Sequence, residues 1–331
     1  MIIHNQSSKD DGVLFALHFG LHIGRLQYKQ QKTGIHFGDM QRENLIELEN
    51  NAVIAVEEYG DANGVPVIFC HGWPSSRTMA RLTDEPARKL GIRIVSADRP
   101  GISASSLQPD RKLTDWPRIV ERMADHLGIR GFRMLGISGG APYAYATAVA
   151  LPERVRAIAI VGGAPPIAEL GDFDELLPLY RWMLAFYRTR PRLLRTLFYL
   201  ARPVLSLRPP VRLRPLLLKM LLLRPCDAES LRDAAAFEAI FESQRRAWRA
   251  SAKGVIADAQ IYAQPWGFAL EDVRVPVRLW HGNQDRAFSV RLAEELVKRL
   301  PNCNARFIAD AGHYSLPIRH MREILEDLIS F

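Results

Sequence analysis

The sequence predicts an α/β fold: a mostly parallel, doubly wound sheet covered by helices on both faces, with a helical segment inserted after the sixth strand. Three observations lead there. Short, nearly continuous apolar runs alternate with longer amphipathic ones, the pattern of parallel strands buried between covering helices. One strand-to-helix junction carries the tight turn Gly136-Ile137-Ser138-Gly139-Gly140. The alternation breaks off over residues 165–268 and then resumes.

The elements follow in order. Residues 1–43 show no clear apolar period and few caps, and read as a loosely ordered N-terminal extension. Residues 45–48 and 52–56 predict two strands, linked so closely that they form an antiparallel edge. Val65–Cys70 and Ile92–Ala97 are buried-strand runs, with a helix predicted between them at 75–90. Helical spacing over 116–127 stops at Gly128. A strand at 132–135 enters the glycine-rich turn, a small-residue helix leaves it, and Val155–Val161 completes the first part of the core, 44–164. Residues 165–268 read as a helical cap cut up by prolines. The second part of the core, 269–331, holds strands at 275–280 and 305–308 and helices at 290–300 and 317–331.

Of the 331 residues, 48% are hydrophobic and 24% charged, enough to bury a sizeable core in water. Three scattered cysteines, Cys70, Cys226 and Cys303, make no disulfide framework and predict reduced thiols in a cytoplasmic protein. No apolar run approaches the length that crosses a bilayer. The apolar run 13–23 is interrupted by two histidines, preceded by Lys9, Asp10 and Asp11, and followed by no small-residue cleavage site, which argues against export.

In open α/β sheets ligands gather at the carboxyl ends of the strands. Those ends carry His71-Gly72-Trp73-Pro74, Asp98-Arg99-Pro100-Gly101, Ser138, His281-Gly282-Asn283-Gln284-Asp285 and Ala311-Gly312-His313. Three of them supply a serine, an aspartate and a histidine in that order, as a hydrolytic triad on such a scaffold does. Asp310 and Asp258 compete with Asp285 for the acid: the first reads as a turn-former, the second as a helix or gate residue. His71 and His281 lack a third ligand at metal spacing, so no metal is predicted and both read as hydrogen-bonding residues that shape their turns. Asp98 and Arg99 read as a structural turn beneath the site.

Together His-Gly-x-Pro, Asp-Arg-Pro-Gly, Gly-x-Ser-x-Gly and the terminal Gly-His resemble the motifs of α/β-hydrolase-fold proteins, from about residue 44 to the C-terminus. The resemblance implies a serine hydrolase with Ser138 as nucleophile, His313 as base and Asp285 as acid. It also implies an oxyanion hole made by the backbone N–H groups of Trp73 and Gly139. His71, Trp266 and Phe268 are candidates for the substrate pocket. The implied reaction is hydrolysis of a carboxylic ester or related small acyl compound through an acyl-enzyme, with no cofactor. Peptide, lactone and carbon–carbon bond hydrolysis and cofactor-free perhydrolysis share the scaffold, and a non-catalytic ligand-binding or signalling protein is the alternative of another class. Dehalogenase and epoxide-hydrolase chemistry of the usual kind needs an aspartate where Ser138 stands.

Charge is concentrated in one region. Residues 177–225 hold ten arginines and Lys219 but no acidic residue, a local +11 against +8 for the whole chain, so the remainder carries −3. Leucine-rich runs at 193–194, 197–200, 216–218 and 220–223 lie among these charges. Three readings follow: peripheral contact with an anionic membrane, attraction of an anionic substrate, or arginine stems spread over apolar helices with their heads in water. No nucleic-acid-binding motif accompanies the charge.

Overall fold

A computed structural model describes residues 44–171, 173–220 and 223–330. The extension predicted at 1–43 lies outside the described residues.

Eight strands form one sheet: β1 (Asn44–Glu47), β2 (Val53–Gly60), β3 (Val65–Cys70), β4 (Ile92–Ala97), β5 (Phe132–Ile137), β6 (Val155–Val161), β7 (Val277–Gly282) and β8 (Cys303–Ile308). Their spatial order is β1-β2-β4-β3-β5-β6-β7-β8. β1 and β2 pair antiparallel, β2 meets β4 antiparallel, and every later pairing is parallel. Strand alternation sorts the side chains to two faces. Ile68 and Met134 join one apolar layer, while Val67, Phe69 and Leu135 join the other.

Helices α1 (Asp84–Lys89), α2 (Trp116–His126) and α3 (Ala141–Ala150) belong to the first part of the core. The single helix predicted at 75–90 is instead a run of tight turns, Arg77–Thr83, followed by short α1. Pro86 cannot donate to an upstream carbonyl, so it fits only the first turn of a new helix. Arg77 is meanwhile drawn inward: its N–H donates to Asp98 Oδ1 at 2.7 Å and its guanidinium pairs with the same carboxylate.

Between β6 and β7 lie α4 (Pro178–Thr189), α5 (Pro191–Leu205), α6 (Arg214–Met220), α7 (Pro225–Ser230), α8 (Ala234–Ala250) and α9 (Ala252–Tyr262). They build a small apolar cluster around Leu194, Phe198, Trp248 and Val255, which Ile102 of the core joins. α10 (Val290–Arg299) and α11 (Ser315–Ile329) follow β7 and β8. No helix among the described residues is long and apolar enough to cross a membrane.

Candidate active site

The site begins where β5 turns into α3. Ser138 has a φ of 54°, in the left-handed region that costs an L-residue about 1–2 kcal/mol. Its neighbours make the turn possible. A Cβ on Gly140 would sit 1.9 Å from the Cys70 carbonyl oxygen, and one on Gly136 would sit 3.1 Å from the Ala141 Cα. The glycine spacing of the motif is thus a spacing of close backbone approaches.

His313, on the loop between β8 and α11, places Nε2 3.0 Å from Ser138 Oγ. Its Nδ1 lies 2.7 Å from Asp285 Oδ2, on the loop after β7. A carboxylate beside Nδ1 holds the ring proton there and leaves Nε2 free to accept from the serine hydroxyl. Asp285 is fixed in turn by the N–H groups of Ala287 and Phe288, which donate to Oδ1 at 2.7 and 3.1 Å. The structure thus brings Ser138, Asp285 and His313 into one hydrogen-bonded line. Asp310 is exposed and Asp258 is buried elsewhere, so neither stands beside His313.

The charges follow from this geometry. Burial alone would favour neutral His313, but the Asp285 carboxylate outweighs it and raises the imidazole above its ordinary value near 6.5, with Asp227 adding to the effect. Burial would raise Asp285, yet His313 beside it holds the carboxyl below its usual range. The arrangement can move a proton from a hydroxyl to a ring whose cation is stabilised in advance.

Two buried aspartates from the helical insert steady these parts, and sequence reasoning gave one a different role and missed the other. On α7, Asp227 accepts from Tyr314 N at 3.0 Å, Ser315 N at 2.7 Å and Ser315 Oγ at 2.8 Å. It clamps the residues just after His313. On α9, Asp258 receives Arg99 Nε at 2.8 Å and pairs with Arg111, and Tyr143 donates to it at 3.0 Å. Arg99 also donates to the carbonyls of His71 at 2.6 Å and Gly72 at 2.7 Å. Within the predicted Asp98-Arg99 turn, Arg99 therefore holds the loop that carries Trp73. α9 reaches the same region twice more. The Trp73 indole donates to Val255 O at 3.0 Å, and Tyr262 Oη donates to Gly139 O at 2.8 Å. For Asp258 the sequence signal is an acid among apolar helical positions, whereas Asp227 stands among polar neighbours and carries no such signal.

Trp73 and Gly139 lie side by side at the elbow: a Cβ on Gly139 would fall 3.0 Å from the Trp73 Cβ. Neither backbone N–H is bonded to a turn or loop carbonyl among the described residues. Beside Ser138 opens a cavity walled by Trp73, Tyr180, Met183, Tyr187, Phe198 and Tyr262, with no charged side chain in its lining.

The predicted pocket residues His71, Trp266 and Phe268 do not line this cavity. Trp266 is buried against Tyr145 and Phe268 in the main core. Its large apolar ring finds α3 before it can find the pocket. His71 is fully buried with Nδ1 3.0 Å from Gly72 O, and burial, aided by the Arg99 cation, keeps it well below the ordinary histidine range. It is a neutral part of the turn. His281 similarly places Nε2 3.1 Å from Phe288 O. No group of three or more potential metal-binding side chains occurs among the described residues.

A doubly wound sheet with a strained serine at one strand end and an aspartate and histidine at two others defines a class of fold and site. Residues 65–318 match the model of the alpha/beta hydrolase fold family, and the chain belongs to that family. Over 136 residues it is 30% identical to a non-heme chloroperoxidase of Streptomyces lividans, covering 38% of this chain and 47% of that protein. Over 80 residues it is 34% identical to a proline iminopeptidase of Lactobacillus helveticus, covering 23% of this chain and 27% of the relative. The chain thus aligns with half or less of these relatives. The fold resembles a bromoperoxidase from Bacillus anthracis, with a TM-score of 0.65 at 17% identity over 87% of this chain and 99% of that one. It also resembles an esterase from Exiguobacterium antarcticum, with a TM-score of 0.60 at 17% identity over 87% and 98%.

Proposed function

We propose that the protein is a serine hydrolase acting on small, neutral, apolar acyl esters. The observation that carries this reading is the continuous line from Asp285 through His313 to Ser138 at the mouth of an uncharged cavity. Ser138 Oγ attacks the ester carbonyl while His313 Nε2 takes its proton. The N–H groups of Trp73 and Gly139 receive the developing oxyanion, each contributing about 3–4 kcal/mol to the transition state. The alcohol leaves with the proton from His313, and water activated by the same ring releases the acid. A non-polar cavity wall strengthens these hydrogen bonds by excluding water. Helices α4 to α9 act as a cap over the elbow.

The cavity offers no carboxylate to a cationic amine, so a neutral acyl group suits it better than the N-terminus of a peptide. The likeness to a chloroperoxidase favours one second reading, in which hydrogen peroxide replaces water in attacking the same acyl-enzyme and leaves as a peracid.

A fluorophosphonate probe is expected to label the protein at Ser138, located by peptide mapping. Alongside it, kcat/KM for p-nitrophenyl esters should rise from acetate to hexanoate by about fourfold per methylene as the chain enters apolar surroundings. Absence of both labelling and turnover in folded protein would leave a ligand-binding protein as the better reading. The pH profile follows from His313. The reaction needs the neutral ring, so kcat/KM should fall as pH drops through a limb lying above 6.5, the ordinary value from which the ring is raised. Stability carries the opposite sign. The His313–Asp285 pair contributes fully below the unfolded value of about 6.5 and loses its contribution as pH rises through the raised folded value. Titrating kcat/KM and Tm over the same range checks both signs.

A further inference from the structure

We infer that the outer face of α5 and the segment that follows it is a docking surface for an anionic lipid bilayer. The side chains on this face are large and apolar, yet they lie in water: Leu200 is 69% exposed, Val204 70%, Leu207 68% and Val211 69%. Leu213 and Leu216 extend the patch at 47% and 54%. Leu193, Leu200 and Val204 recur at helical spacing, so the patch includes one continuous stripe of α5. Large apolar side chains left exposed together along one short stretch of chain mark a contact site.

The charges around it select the partner. Arg188, Arg190, Arg192, Arg195 and Arg212 are all exposed. Residues 177–225 contain no carboxylate that could neutralise them. Arg208 and Arg214, by contrast, share Glu238 from α8, and Arg202 is spent on the carbonyls at the end of that helix. A second copy docked face to face would set arginine against arginine. An anionic membrane satisfies both halves of the surface: leucine and valine enter the acyl boundary, and guanidinium groups pair with lipid phosphates.

The inner faces of α4 and α5 supply Tyr180, Met183, Tyr187, Leu194 and Phe198 to the acyl cavity. On the hydrolase reading, docking would bring that cavity to a source of amphiphilic esters. The docking itself does not depend on that reading, and its test needs no turnover.

The full chain is mixed with vesicles of phosphatidylglycerol and phosphatidylcholine, or of phosphatidylcholine alone, and sedimented. Partitioning should be at least about tenfold stronger on the anionic vesicles and should weaken in high salt. The triple variant Leu200→Glu, Val204→Glu, Leu207→Glu should reduce it by about tenfold or more, and so should Arg192→Glu with Arg195→Glu, both at unchanged Tm and unchanged fluorophosphonate labelling. The second variant serves if the first fails to fold. Equal binding to both vesicles, no binding to either, or wild-type binding by the variants would overturn the inference. So would an equilibrium dimer in solution that the triple variant dissociates, since a second copy would then cover the face.

Discussion

Ser138→Ala is expected to lower kcat/KM on p-nitrophenyl butyrate by about 10⁵- to 10⁶-fold, because the alanine side chain has no oxygen with which to form the acyl bond. That loss corresponds to ~7–8 kcal/mol of transition-state stabilisation. Stability should hardly change, since the side chain's hydrogen-bond partner is His313 and alanine inherits the same strained backbone. Ser138→Gly separates the two effects. Glycine adopts a φ of 54° without a Cβ penalty, so this variant should be equally inactive but about 1 kcal/mol more stable than wild type. Chemical denaturation beside steady-state kinetics tests both. A Ser138→Ala enzyme that keeps a tenth of its activity would place the nucleophile elsewhere.

Asp258→Ala should bring the largest loss of stability. Its carboxylate is fully buried between Arg99 and Arg111, and those two cations hold it below the usual range although burial pushes the other way. Removing it leaves two buried guanidinium groups without their counter-ion, at a cost of about 3–5 kcal/mol. Calorimetry should record a Tm lower by about 5–8 °C. Activity should fall as well. Arg99 draws on Asp258 while it holds the His71 and Gly72 carbonyls, so its release loosens the loop that carries Trp73, whose N–H the proposed reaction uses. A drop of about 10- to 100-fold in kcat with little change in KM is the expected signature. Asp258→Asn keeps the volume and an acceptor oxygen, and should lie between wild type and alanine in both measures. A melting temperature equal to that of wild type in Asp258→Ala would refute this account of the cluster.

Much of the site was legible because its residues occupy strand ends. A buried parallel strand needs an apolar run, and the residue after that run must stand at the sheet's edge whatever it packs against. Ser138 and His313 could be read in this way. Asp285 could be named only as the best of three acids, because which carboxylate meets His313 depends on how the loop after β7 folds back. Its rival Asp258 proved to be a counter-ion for Arg99, 159 residues away in sequence. Asp227 shows the same limit: it clamps Ser315 from 88 residues away.

The pocket marks the other boundary. Trp266 and Phe268 and the lining residues Tyr187 and Phe198 are all aromatic side chains of the inserted segment. Composition cannot say which of them turn toward a cavity and which toward the core. The helical segment shows both outcomes at once, since Leu194 faces inward on α5 while Leu193, its neighbour, is 41% exposed.

By itself the sequence determined the order of strands and helices, the strained serine turn and the confinement of positive charge to one stretch. These are local properties, set by side-chain period, by glycine at close backbone approaches and by composition. Tertiary structure alone decided the acid partner of His313, the two aspartates that steady the site, and which face of each inserted helix lines the cavity. Those outcomes depend on contacts between residues far apart along the chain, where packing and desolvation choose among side chains that are chemically alike.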